Sequence, residues 1–94
     1  MSTEITDNAE RKRYEIRVDG ELAGFAAYEP AEGSTVALTH TEVDPAFEGK
    51  GVGGKLARGA LDDLRATGRS VIPVCPFIKS WIQKHPDYHD VVAP

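Results

Sequence analysis

The chain has 94 residues, of which 40% are hydrophobic and 28% charged, and its formal net charge is −4. That length fits one folded domain and no second core, and the acidic balance argues against a general nucleic-acid binder, which carries a basic face for phosphates. No apolar run approaches the roughly 20 residues of a bilayer-spanning helix, the one cysteine cannot form an internal disulfide, and the N-terminus lacks a signal-peptide pattern; the expectation is a cytoplasmic protein with no membrane partner.

Met1 to Arg11 is polar and without periodicity, and reads as a flexible terminus with no role; residues 12–94 read as the single domain. From Tyr14 the pattern alternates, with Tyr14, Ile16 and Val18 pointing one way and Glu15 and Arg17 the other, as in a half-buried strand. Asp19-Gly20 follows at once. That dipeptide between two extended runs predicts a two-residue hairpin turn, because both central positions need positive φ. Strand 13–18 therefore pairs with strand 21–29, and Pro30 to Ser34 is a loop by composition. A third strand runs from Thr35 to Val43, rich in β-branched residues and closed by Asp44-Pro45. Three antiparallel strands in a meander are the simplest arrangement.

Beyond Gly51 the period changes. Val52, Leu56, Ala60 and Leu64 fall on one helical face, with Gly68 placed to end the helix. Ser70 to Val74 is a short apolar strand whose Pro73 suits a sheet edge, and a last helix runs from Pro76 to about His85, stopped by Pro86. The order β-β-β-α-β-α makes an α+β fold, with one parallel crossover joining the third and fourth strands of this reading. Phe25, Phe47, Phe77 and Trp81 are assigned to the core, and Arg11 to Arg13 is too short a basic run to imply nucleic acid. A domain this small is expected to be a monomer or a weak homodimer.

Gly49, Gly51, Gly53 and Gly54 lie between a strand end and a helix start. Glycine there lets the backbone turn tightly and approach a ligand, while the first-turn amides and the helix dipole favour an anion; the bland alternative is a tight connection and nothing more. Lys50 and Lys55 add positive charge. Gly49 to Lys55 also satisfies the first seven positions of a nucleotide-binding P-loop, but Leu56 stands where a Ser or Thr must hold Mg²⁺. A dinucleotide fold fits less well, since the turn follows an antiparallel meander.

Glu48-Gly49-Lys50-Gly51-Val52-Gly53 resembles the signature Gln/Arg-x-x-Gly-x-Gly/Ala of the GNAT (general N-acetyltransferase) superfamily, departing at the first position. The blocks HTEVDPAFEGKGVGGKLA, PVCPF and HPDY together resemble the very short single-domain GNAT-like proteins with a Cys-Pro-Phe block, over about Tyr14 to Tyr88. The resemblance implies a minimal GNAT-like fold holding acetyl-coenzyme A between strands 35–43 and 70–74. It also implies that the amides of Gly49, Lys50, Gly51, Val52, Gly53 and Gly54 hold the pyrophosphate, with Lys55 beside them and the Val43 main chain near the pantetheine arm. No metal is implied. The acceptor would be an amine, of a small molecule or a protein. Helices and strands that shape the acceptor pocket in longer members have no counterpart here.

Acetyl transfer from a thioester needs a base for the amine and an acid for the leaving thiolate. His40 and Glu42 are the base candidates, alternating onto one face of their strand; the other reading is a partly packed histidine and a solvated glutamate. The stretch where the superfamily often carries an acidic tyrosine reads Ser80-Trp81-Ile82, and Tyr88 would substitute only if the chain folded back. Cys75, as the residue before a helix that begins with Pro76, gains thiolate character and could carry the acetyl group; lone cysteines are as often small buried hydrophobes. The leading reading is an acetyl-coenzyme A-dependent N-acetyltransferase, and the alternative a non-catalytic acyl-coenzyme A-binding module.

Overall fold

The computed structural model describes residues 2–94. Five strands and two helices make up the domain: β1 (Thr3–Asn8), β2 (Arg13–Val18), β3 (Glu21–Pro30), β4 (Thr35–Val43), α1 (Val52–Ala66), β5 (Ser70–Pro73) and α2 (Pro76–Gln83). Short 3-10 turns at Pro45–Phe47 and Pro86–Val91 complete it. The sheet runs in the order β1-β2-β3-β4-β5, antiparallel except for the parallel β4–β5 pair, so the α+β meander with one parallel strand is the fold. Asp19 (φ 50°) and Gly20 (φ 88°) both take positive φ at the β2–β3 turn, as that dipeptide predicts.

The reading of the first eleven residues as a flexible, idle terminus is corrected. Residues 3–8 form an edge strand in register with β2, Ile5 opposite Ile16 and Asn8 opposite Arg13. An edge strand needs only one apolar contact on its inner face, and Ile5 makes it against α1 at Gly59, where an added Cβ would lie 2.6 Å from Ile5 Cγ1. Asn8 and Asp7 supply polar anchors to residues further along the chain.

Both helices contribute to one core with the inward residues of the sheet. Val52, Leu56, Ala57, Ala60, Leu61 and Leu64 of α1 are all buried, joined by Tyr14, Ile16, Ala26, Tyr28, Val36, Leu38 and Val71 from the sheet and Ile78, Trp81 and Ile82 from α2. Burial of each large aliphatic chain contributes about 1.5–3 kcal/mol. Gly68 ends α1 with φ 72°, its amide and that of Arg69 returning to the carbonyls of Arg65 and Leu64 at 3.1 and 2.8 Å. Phe77 departs from its core assignment: it is 43% exposed, and its ring rests on Gly53, whose added Cβ would meet Phe77 Cζ at 3.0 Å.

The opposite face of the sheet carries Glu15, only 5% exposed although no helix lies over it. Its carboxylate accepts from Arg13 Nε (2.7 Å), Arg17 (3.1 Å) and Asn8 (3.2 Å). Burial alone would push this carboxyl up, but those three donors outweigh it and hold it below the ordinary carboxylate value.

Candidate functional site

The register of the sheet opens a cleft. β4 and β5 pair from Thr35–Ser70 to Leu38–Pro73, and the Cys75 amide donates to the Leu38 carbonyl at 2.9 Å as their last backbone link. Pro73 brings no amide hydrogen, and the chain then turns into α2, so Thr39 to Val43 run on without a partner on that side. An irregularity in the β3–β4 pairing, where Ala27 faces His40 and Tyr28 faces Leu38, leaves Thr39 without an opposite residue and bends β4 at the same level.

Below the cleft the chain is set up for a sharp turn. The Asp44 carboxylate accepts from the Ala46 amide at 2.9 Å, fixing the Pro45–Phe47 turn, and Gly49 (φ 81°) and Gly51 (φ 73°) then take left-handed conformations that a side chain would strain. An added Cβ on either glycine would meet nothing within 4 Å: the space over them is open. The first α1 bond runs from the Lys55 amide to the Gly51 carbonyl, so the amides from Gly49 to Gly54 have no backbone acceptor among the described residues. Gly53 and Gly54 have a separate reason to lack a Cβ. They face Phe77 and Trp81 Nε1 of α2 at 3.0 and 3.6 Å, so those two positions also let the helices approach. Lys50 and Lys55 flank the turn and are exposed, and Val43 ends β4 immediately before it.

The three candidate catalytic residues do not converge. Cys75 Sγ lies 3.4 Å from Thr41 Oγ1, on the side of β4 that faces α2. His40 and Glu42 alternate onto the other face, 3.4 Å from each other and each 60% exposed, with His40 beside the Phe25 ring. Strand alternation therefore puts the cysteine of the two-step route on one face and the histidine–glutamate pair of the direct route on the other. Burial would raise the Cys75 thiol, but the Thr41 hydroxyl and the amides of Ile78 and Phe77 favour its charged form more and hold it below the ordinary thiol value.

At the end of the sheet an open groove of about 500 Å³ is lined by residues 22–25 of β3 and 42–45 of the β4 end, Glu42 among them but not His40. Leu22, Phe25, Val43 and Pro45 give it an apolar floor, and Glu42 and Asp44 carboxylates. Sequence reasoning missed it, since it depends on the pairing of Gly24 with Val43, where an added Cβ would press to 2.6 Å of the Glu42 carbonyl. Tyr88 does fold back, but onto the middle of α1, donating to Asp62 at 2.7 Å. Asp62 lies ten residues past Val52, about 15 Å along the helix, so this hydroxyl is no acid for the cleft.

Comparison with known proteins agrees with this architecture. Residues 13–91 match the family model of the GCN5-related N-acetyl-transferases. Protein NATD1 of Xenopus tropicalis is 28% identical over 86 residues, which are 90% of this chain and 79% of that protein. The solution structure of a GCN5-like protein of Staphylococcus aureus superposes with a TM-score of 0.73 at 24% identity, covering 96% of this chain and 87% of the other. N-acetylglutamate synthase from Neisseria gonorrhoeae, solved with coenzyme A and N-acetyl-glutamate, superposes at 0.53 with 27% identity over 63% of this chain and 15% of that one. A glycine turn opening on free amides, a forked β4–β5 pair and a family match over most of its length place the chain in the GCN5-related N-acetyltransferase family.

Proposed function

We propose that the protein binds acetyl-coenzyme A in the β4–β5 cleft and transfers the acetyl group to the amine of a small molecule or protein. The observation that carries the reading is the run of unengaged amides from Gly49 to Gly54 under open space, a fit for the oxygens of a pyrophosphate. The coenzyme A complex of the Neisseria relative supports it at the level of the family. The residues present need no metal for this chemistry. From that anchor, the pantetheine arm would pass Val43 along the side of β4 away from β3, and the thioester would lie at the fork.

In the direct route the amine nitrogen attacks the thioester carbon from the groove, its proton passing to His40 or Glu42. The C–S bond then breaks, and the coenzyme leaves as thiolate to take a proton from solvent. In the alternative route Cys75 Sγ attacks first, forming a thioester on the enzyme and releasing the coenzyme, and an amine then takes the acetyl group. The separation of the two faces favours the direct route, because the amine and its base share the groove side.

A second reading, a non-catalytic acyl-coenzyme A-binding module, is favoured by one observation. Where an acidic tyrosine would serve the leaving thiolate, α2 carries buried Trp81, stacked on His85 at 3.8 Å. Mass spectrometry after incubation with isotope-labelled acetyl-coenzyme A and a panel of amines separates the readings: label on amines supports direct transfer, label held on Cys75 the two-step route. Acetyl-coenzyme A recovered intact, with no label on the protein or on any amine, favours the module. If ATP, but not coenzyme A, raised the melting temperature, the cleft assignment would be wrong.

A further inference from the structure

Although the chain is acidic overall, its charge is unevenly distributed. Between Glu48 and Asp62, and again between Asp63 and Asp87, there is no carboxylate side chain, while Lys50, Lys55, Arg58, Arg65, Arg69, Lys79 and Lys84 fall in those stretches. Arg65 and Arg69 are spent on Asp90, Asp7 and Asp63. Among the described residues, Lys50, Lys55, Arg58, Lys79 and Lys84 make no ion pair.

These free cations are not scattered. α1 and α2 meet where Gly53 faces Phe77 and Gly54 faces Trp81. Arg58 is one turn on from Gly54, and Lys84, at 100° per residue, falls on the same side of α2 as Phe77 and Trp81. Lys55 lies beside them on the exposed side of α1. The Arg58 guanidinium is held over Trp81 and Tyr88, 5.5 and 5.6 Å from their ring centroids, and its one hydrogen bond is to the Tyr88 hydroxyl at 3.3 Å, which in turn donates to Asp62 at 2.7 Å, the one carboxylate linked to the cluster among the described residues. An arginine fixed in this way loses little freedom when it takes a phosphate. From Val52 to Arg58 is six residues, about 9 Å along the helix, comparable to the reach of a ribose and its phosphate arm from the glycine turn.

We infer that Lys55, Arg58 and Lys84 form a second phosphate subsite that takes the 3′-phosphate on the ribose of coenzyme A, making the protein selective for the 3′-phosphorylated nucleotide. The inference rests on the pyrophosphate reading of the glycine turn and adds to it the end of the cofactor that lies outside that turn. Lys79 is on the opposite side of α2 and takes no part.

Calorimetric titration of the full chain with coenzyme A and with 3′-dephospho-coenzyme A tests it. The wild type is expected to bind the dephospho form roughly tenfold or more weakly, the scale of one charge-assisted contact. Lys84→Gln and Arg58→Gln should each shrink that ratio by weakening coenzyme A alone, Lys55→Gln, which also stands beside the glycine turn, should weaken both ligands and coenzyme A the more, and Lys79→Gln, which removes the same charge, should leave the ratio unchanged. Arg58→Gln also loses the Tyr88 contact, and exposed Lys84 carries the test if that variant does not fold. Equal binding of the two ligands by the wild type overturns the inference and leaves the glycine-turn reading standing, as does a loss shared equally by both ligands in Lys84→Gln. Binding of neither overturns both.

Discussion

At the C-terminal end of α1 the polar side chains and the Asp63, Leu64 and Arg65 carbonyls are paired. Tyr14 donates to Asp63 at 2.7 Å, Tyr28 donates to Asp7 at 2.6 Å, Arg69 lies 3.8 and 3.9 Å from the two carboxylates, and the last carbonyls of the helix are closed by the amides after Ala66. At the N-terminal end of the same helix, among the described residues, the amides have no acceptor, two residues hold left-handed backbone under open space, and the nearest lysines make no ion pair. The closed end fixes β1, β2, β3 and α1 to one another; the open end spends stability and keeps its donors unused. Binding capacity lies where the fold leaves polar groups unsatisfied.

The largest expected effect breaks the open end alone. Gly51→Asp puts a carboxylate where the pyrophosphate is to sit, and coenzyme A affinity should fall at least about 100-fold, or about 2.7 kcal/mol; Gly53→Glu should do the same and also displace the Phe77 ring. The melting temperature of Gly51→Asp should fall only a little, because the strained backbone costs about 1 kcal/mol and aspartate tolerates it better than most residues. Affinity within roughly twofold of the wild type would refute the phosphate placement.

Tyr14→Phe breaks the closed end. It removes a hydroxyl donated to a charged group, and unfolding stability should fall by about 2 kcal/mol, read by denaturant titration. Coenzyme A affinity of the folded fraction should be unchanged. A parallel loss of affinity would mean that the two ends are coupled through α1.

The two ends were also unequally legible in the sequence. The open end is local: four glycines, a strand end and a helix start lie within a few residues of one another, and the 3.6-residue spacing from Val52 to Leu64 identifies the helix that follows. The closed end is assembled from positions 7, 14, 28, 63 and 69, and no local pattern links them. For the same reason β1 escaped: its one inward apolar residue, Ile5, finds its partner at Gly59. The site divides along the same line. The turn could be read, while the placement of His40 and Glu42 on one face and Cys75 on the other needed the irregular β3–β4 register and the early end of β5.

A smaller effect sharpens the contrast through pH. Burial, and after it the Asp7 carboxylate, push the Tyr28 phenol from 10.0 up to about 12. A group raised on folding contributes its full stability below the unfolded value and loses it as pH climbs to the folded one. Stability should therefore fall across the window from 10.0 to about 12, and Tyr28→Phe should flatten that part of the profile. Denaturant midpoints measured at intervals through alkaline pH would show it, and an unaltered slope in the variant would count against Tyr28.

The smallest effect asks to which side Cys75 belongs. It is buried and bonded to Thr41 like a residue of the closed end, yet it stands at the fork of β4 and β5. Its depressed thiol is charged above the lowered pKa and loses that charge as pH falls through it, so alkylation of the folded protein should show a midpoint below that of a free thiol. Thr41→Val removes the hydroxyl that favours the thiolate and should move the midpoint upward, whatever the absolute rate through a narrow opening. Saturating coenzyme A should slow alkylation if the sulfur lines the cleft. No protection, with the midpoint still depressed, would make Cys75 a packed thiol tuned by its neighbours and would remove the two-step route, leaving the amine to meet the thioester from the groove beside Glu42.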